Sequence, residues 1–391
     1  MKKCKLPDRP ITNVGFKFDA KELSAILKKV DSVTKFSQSN DKLTHIHLIC
    51  SYKSNVFVIG RTPDTFVAHL VPNAIADGDT VFNIDPAQID GLIAKRSSMT
   101  AMYTGREVEM QEVKGRYSSK FKVRPISPEQ IPMVNEGLRH HLSGGNEMSQ
   151  EVIDKMVEGV RLCRIKDTIT QASVICRIEC EGKNMRVASV SNWASSKYVT
   201  KLEDKVDSFR FSLSVEMFDL VMKFCGKNKI SFFADTNSFA AESEDFVLTL
   251  PPIQSTDQDY QYIDVMENAM GKALMSLKIK GDMSAPFENI YTLVDVKANT
   301  RVNVSVEKKT MHIGFDNDSG SVRDSLLLES AVERPFESQF DIRILREMLR
   351  NIGREKEHLL GFHGTLKKFK AMSLYYQLKD CQLTYYGFIP A

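Results

Sequence analysis

The stretch Thr80–Ser98, TVFNIDPAQIDGLIAKRSS, changes its hydrophobic period at a single residue, Asp85. Before Asp85 the chain alternates as a strand does. After it, Ile89, Leu92 and Ile93 fall on one helical face and Gln88, Gly91 and Lys95 on the other. Asp85 therefore reads as a cap between a strand and an amphipathic helix. The same order recurs at 207–227, DSFRFSLSVEMFDLVMKFCGK, and at 337–353, ESQFDIRILREMLRNIG. The three caps are Asp85, Ser214 and Asp341, spaced 214 − 85 = 129 and 341 − 214 = 127 residues apart. A near-constant period of that size marks a repeated structural unit.

A second helix precedes each of these steps. FKFDAKELSAILKKVDSV places a cap at Asp19 with Glu22 three residues on, which is a capping box in kind. EMSQEVIDKMVEGVRLCRI starts near Ser149, 149 − 19 = 130 residues later. A third helix is predicted over YIDVMENAMGKALMSLKIKG, starting near Asp264. Short alternating runs with turn residues lie between and after the helices, among them THIHLICS, NVFVIGRT, ASVICRIEC, KISFFAD and TRVNVSVEK. Each block thus holds two helices among roughly eight strands, an α+β unit whose antiparallel sheets bury one side against the helix pair. Composition shifts at 124–148 and 251–261, so linkers are expected there and domains at 1–134, 135–254 and 255–391.

Composition excludes several classes. No apolar run approaches the ~18 residues that cross a bilayer, and MKKCKLPDRP lacks a signal-peptide core, so a cytoplasmic protein without a membrane partner is expected. The seven cysteines form no CxxC pair, and Cys176, Ile178 and Cys180 share one strand face, so packing accounts for them without a metal or disulfide. His45 and His47 also share a strand face, but no cysteine or carboxylate at metal spacing joins them, and a wet outer sheet face is expected. The chain shows no phosphate-cradling glycine loop with its lysine, no GxSxG elbow and no defensible pair of catalytic carboxylates. It reads as neither an enzyme nor a cofactor protein.

A net charge of +3 matters only if the positive charges share a face. Opposite the apolar stripe Leu23, Ile26, Leu27, Val30 and Val33 stand Lys21, Lys28 and Lys35. Lys95 faces outward after Asp85, and Arg161, Arg164, Lys223 and Lys227 take comparable places in the second block. In the third, Arg343, Arg346, Arg350 and Arg354 oppose Leu345, Leu349 and Ile352, while Lys272 and Lys278 come from its first helix. Acids such as Asp31, Asp90, Glu158 and Asp219 interrupt the stripe. Such a surface would hold a polyanion loosely, through phosphates and without base readout.

These features resemble a DNA polymerase sliding clamp of the bacterial β type, including a bacteriophage version. The resemblance rests on the repeated two-helix blocks, on the strand-to-helix step at 82–93, 211–221 and 340–349, and on the ending YYGFIPA, which is similar to the family's Tyr-x-x-Met-Pro-Met run. It implies three clamp domains per chain and a head-to-tail homodimer closed as a ring. Double-stranded DNA, the replicative polymerase and a clamp loader are its implied partners, and the basic residues above would face the DNA. A cleft for client peptides is implied at Phe388, Ile389 and Pro390 on one wall and Ser189, Asn192 and Trp193 on the other. Asn192-Trp193 replaces the family's His-Arg, a departure that changes what peptide would fit. The alternative is a repeat-built scaffold for protein interactions that encircles no DNA.

Overall fold

The computed structural model describes residues 6–7, 10–37, 45–139, 146–164, 174–190, 194–225, 230–234, 239–250, 273–280, 282–292, 301–318, 320–342, 346, 349, 357–365, 368–377 and 381–388. Through residue 139 the elements are β1 (Val14–Asp19), α1 (Ala20–Thr34), β2 (Ile46–Tyr52), β3 (Asn55–Arg61), β4 (Phe66–Ala76), β5 (Thr80–Asn83), α2 (Pro86–Ile93), β6 (Ser98–Tyr103), β7 (Glu107–Glu112), β8 (Ser118–Lys122), β9 (Arg124–Pro125) and α3 (Gln130–Arg139). There follow β10 (Asn146–Met148), α4 (Gln150–Cys163), β11 (Ile175–Val190), β12 (Ala194–Ser214), α5 (Val215–Cys225), β13 (Ile230–Ala234), β14 (Phe239–Glu242) and β15 (Phe246–Leu250). The last group is β16 (Met275–Lys280), α6 (Ser284–Tyr291), β17 (Arg301–Glu307), β18 (Thr310–Asn317), β19 (Gly320–Leu327), β20 (Phe336–Asp341), β21 (Glu357–Thr365), β22 (Lys368–Gln377) and β23 (Cys381–Phe388). Between β20 and β21, residues 342, 346 and 349 are helical.

Every strand pair is antiparallel, and the class is α+β. The chain forms two compact units, Met1–Gln150 with Met217–Pro252 and Glu151–Glu216 with Ile253–Ala391. Strand pairing explains why the middle of the chain is shared between them. In the first unit β15 adds to the edge of β4, with Leu248 opposite Val67. In the second, β23 adds to β12, with Tyr385 opposite Ser196. Each addition satisfies backbone groups that a sheet edge leaves open.

The capping logic of the sequence appears in the first unit. Asp19 accepts from the amides of Lys21 and Glu22 at 2.9 and 3.1 Å, and Asp85 accepts from those of Ala87 and Gln88 at 2.9 and 3.2 Å. The buried face of α1 is Leu23, Ile26, Leu27, Val30 and Val33, as the periodicity predicts. Each such side chain contributes about 1.5–3 kcal/mol as an upper bound. Gly60 on β3 lets α1 approach closely, since a Cβ there would lie 2.7 Å from Val30 Cγ1. Cys176, Ile178 and Cys180 are buried on one strand face, and neither cysteine is part of a disulfide.

Four expectations need correction. The predicted helix over 262–281 is, in its described part, strand β16, where Leu277 and Ile279 point inward and Ser276 and Lys278 outward. That two-residue alternation outweighs the methionine content of the segment, whose start lies outside the described residues. The helix itself is α6, where Asp282 accepts from the Ser284 amide at 2.9 Å. First helices therefore begin at residues 20, 150 and 284, a more even spacing than the sequence suggested.

The described part of the predicted linker, 124–139 and 146–148, is also structured, and its helix α3 covers the sheet face opposite α1. Val134 packs there with Leu6, Ile46, Leu48, Phe57, Ile59 and Phe66, so this sheet is buried on both sides. His47 consequently faces α1 instead of water, with Nε2 3.0 Å from Thr34 Oγ1, and burial lowers its pKa. Finally, α2 ends at Ile93, with Leu92 only partly buried, and Lys95 follows in a left-handed conformation at φ 64°.

Candidate nucleic-acid interface

On the described helices, Lys21, Lys28, Arg161 and Lys223 are exposed, but several of the candidate cations already hold an acid. On α1, Lys28 Nζ lies 3.3 Å from Asp90 of α2 and Lys35 Nζ lies 2.6 Å from Asp31. Ser24 also donates to Asp90, so one carboxylate on α2 ties down two groups on α1. Lys278 projects from β16, not from a helix, and pairs with Glu329 at 2.8 Å. Arg346 reaches α6: Nε is 3.3 Å from Glu288 Oε1, and the guanidinium lies 3.5 Å from the Tyr291 ring centre. Both contacts draw its charge toward the protein.

Lys21, Lys95, Arg161 and Lys223 are exposed and make no ion pair among the described residues. Arg164, just past α4, is partly buried and engaged. Lys227, Lys272, Arg343, Arg350 and Arg354 lie outside the described residues. The surface is thus positive only in part, and pairs of opposite charge cover much of the stripe. The Ser24–Asp90 and Glu288–Arg346 contacts escape sequence reading, since they need two helices side by side. Their only trace is that Asp90 and Arg346 both stand five residues beyond a cap, Asp85 and Asp341.

The candidate cleft shows a different chemistry. Ser189 is fully buried and donates to Cys163 O at 2.5 Å, where Ser196 also donates at 2.9 Å. Tyr385 donates to Leu162 O. Three hydroxyls from β11, β12 and β23 therefore satisfy the last carbonyls of α4, which the helix itself leaves open. Burial pushes the Cys163 thiol up to about 12, so it stays protonated. Ser189 is placed to hold a helix end and not to line an open wall. Phe388 ends β23 in register with Ala371. Asn192, Trp193, Ile389 and Pro390 lie outside the described residues.

Solved structures share this architecture over almost the whole chain. The β subunit of DNA polymerase III from Thermotoga maritima matches with a TM-score of 0.73 and 14% identity, covering 97% of this chain and 99% of that one. The β subunit from DNA polymerase of Streptococcus pyogenes gives 0.74 at 11% identity, covering 96% and 99%. A DnaN sliding clamp from Pseudomonas aeruginosa bound to griselimycin gives 0.73 at 11% identity, covering 97% and 100%. The chain has the sliding-clamp fold. No protein-family model and no curated protein sequence matches it.

Proposed function

We propose that this protein is a DNA sliding clamp, a non-catalytic ring that encircles duplex DNA and tethers a replicative polymerase in the cytoplasm. Its domains are 1–134, 135–254 and 255–391, and two copies join head to tail. The observation that carries this reading is the strand addition repeated along the chain: β15 on β4, then β23 on β12. After both additions, β8 ends the first sheet and β19 ends the third, each without a neighbour on one side among the described residues. A heterologous contact between those edges in two copies would close a ring or run on as a filament, and the clamp fold favours closure.

The exposed cations Lys21, Lys95, Arg161 and Lys223 supply weak, sequence-independent phosphate contacts inside the ring, with the third-block arginines Arg343, Arg350 and Arg354. Loose contact suits a protein that must slide while topology keeps it attached. The polymerase and a clamp loader bind through a short apolar peptide at a cleft around Asn192, Trp193, Phe388, Ile389 and Pro390, with Ser189 supporting it from below. Neither a metal nor a cofactor takes part. Retention on DNA tests the proposal: a loaded clamp stays on a circular duplex and leaves a linear one by its ends. Equal loss from both would exclude topological binding and favour a scaffold without DNA.

A further inference from the structure

The outer face of β11 and β12 repeats the register of the first sheet and reverses its chemistry. Leu48 opposite Asn83, Cys50 opposite Val81 and Ile59 opposite Ala68 correspond, 129 residues on, to Arg177 opposite Ser212, Glu179 opposite Arg210 and Ala188 opposite Lys197. In the first sheet this row is apolar and packs with Val134 of α3. On β11 and β12 the positions of that apolar cluster hold Arg177, Arg186, Lys197 and Arg210, with Glu179 as the one acid. The inward row keeps its role, since Ser189 and Ser196 meet the end of α4.

Despite its charges this outer face is covered. Arg177, Ala188 and Ser195 are 5%, 2% and 1% exposed. Arg177 and Arg210 both reach Glu179, at 2.5 and 3.1 Å. A guanidinium is buried to that depth only with countercharge around it. The chain itself carries a source of such charge. Pro125-Ile126, which leads from β9 to α3, recurs as Pro252-Ile253. Residues 124–139 balance Arg124 and Arg139 against Glu129 and Glu136, whereas 253–268 hold Asp257, Asp259, Asp264 and Glu267 without a base. From residue 253 on, the chain belongs to the same compact unit as β11 and β12 up to Ser214. It next enters β16, the far edge of the six-stranded sheet that begins with β11, five strand spacings or about 24 Å away.

We infer that residues 253–268 dock on the outer face of β11 and β12, the place that α3 takes on the first sheet, and that their acids meet Arg177, Arg186, Lys197 and Arg210. Four acids then face a surface with three positive charges in excess. The apolar contact of the first sheet is replaced by an ionic one, and the two respond differently to solution conditions. Salt screens a partly exposed ionic contact such as that of Arg210, whose side chain is 61% exposed. It does not weaken the burial of Val134 under α3. Neither the contact nor its test depends on ring closure.

Amide hydrogen exchange on the full-length protein, read by mass spectrometry, tests the contact. Residues 253–268 should exchange slowly at low salt and speed up by about threefold or more in about 0.5 M sodium chloride, while α3 keeps its rate. Arg210→Glu should produce the same acceleration at low salt, and the exposure of that side chain lets the sheet tolerate the change. Asp257→Asn with Asp259→Asn approaches the contact from the other side, without touching the sheet, and should match it. Exchange across 253–268 at the rate of an unstructured chain, whatever the salt, would overturn the docking. Slow exchange that neither salt nor either variant alters would overturn it as well, since the segment would then be held by something other than these charges.

Discussion

Arg346 and Glu288 face each other with opposite charge at the positions where Asp90 and Ser24 meet near the other end of the chain. Arg346 follows the cap Asp341 by five residues as Asp90 follows Asp85, and Glu288 is the fifth residue of α6 as Ser24 is of α1. One contact is Arg346 Nε to Glu288 Oε1 at 3.3 Å; the other is Ser24 to Asp90. A contact between neighbouring helices is made at matching positions in both, while the residue after the second cap is an acid in one and a base in the other. Packing sets the position, and any residue pair that hydrogen-bonds can fill it.

Glu288→Gln should therefore separate stability from DNA contact. The pair is partly exposed, with Arg346 at 25% and Glu288 at 47%, so its loss costs under about 1 kcal/mol. Arg346 then carries an uncompensated charge, and duplex affinity should rise modestly at low salt. Urea midpoints and a fluorescence titration check the two parts. A drop in affinity would mean that Glu288 orients Arg346 for the phosphate.

The exposed cations give a salt-dependence prediction. Replacing Lys21, Lys95, Arg161 and Lys223 by glutamine should flatten the plot of log affinity against log salt by about 0.9 for each phosphate that is no longer neutralised. Lys28 and Lys35, held by Asp90 and Asp31, should matter less. An unchanged slope in the fourfold variant would remove these helices from the DNA-facing surface.

The parts of this fold that sequence reveals are those governed by local chemistry. Asp19 and Asp85 cap helices because aspartate oxygens meet free amides, and the α1 stripe is buried because its spacing matches the helical turn. What stayed hidden depends on partners distant in sequence. His45 and His47 read from sequence as facing water because nothing in THIHLIC shows that α3 covers the opposite face. The buried role of Ser189 was invisible because its acceptor, Cys163 O, belongs to a helix end 26 residues away. The α6 helix was displaced by a neighbouring strand whose inward residues, Leu277 and Ile279, were read at the wrong period.

Tyr385→Phe should destabilise the second unit by about 1–3 kcal/mol, because Leu162 O loses its donor inside a dry site. Ser189→Ala should cost less, since Ser196 still donates to Cys163 O. Chemical denaturation of the two variants and their combination measures the difference. If Ser189→Ala is the more damaging, the helix end depends on that hydroxyl more than on the tyrosine.

Gly137→Ala runs against helix propensity. In an open helix alanine would gain about 1 kcal/mol, but here a Cβ would lie 2.4 Å from Phe66 Cδ2. The aromatic ring belongs to the packed layer under α3 and has little room to move. A net loss of about 1–3 kcal/mol is expected, with faster amide exchange in α3. A more stable variant would show that α3 rests loosely on the sheet.

His69 joins β4 to β15 opposite Phe246, and its ring packs on Phe246 and Phe224 at 6.0 and 5.7 Å. Burial pushes its pKa down to about 4, with Lys29 lowering it further and the Leu70 carbonyl and Asp245 opposing. In the unfolded chain the imidazole titrates near about 6.5. Between these values the unfolded state takes up a proton that the folded state refuses. Stability fully present above pH 6.5 is therefore lost as pH falls toward 4, by a total of about 3 kcal/mol. His69→Phe keeps an aromatic ring against Phe246 and removes the proton site. The difference in unfolding free energy between the two proteins should grow in favour of the variant across that interval and stay constant above it. A pH-independent difference would show that His69 is solvated enough to charge within the fold.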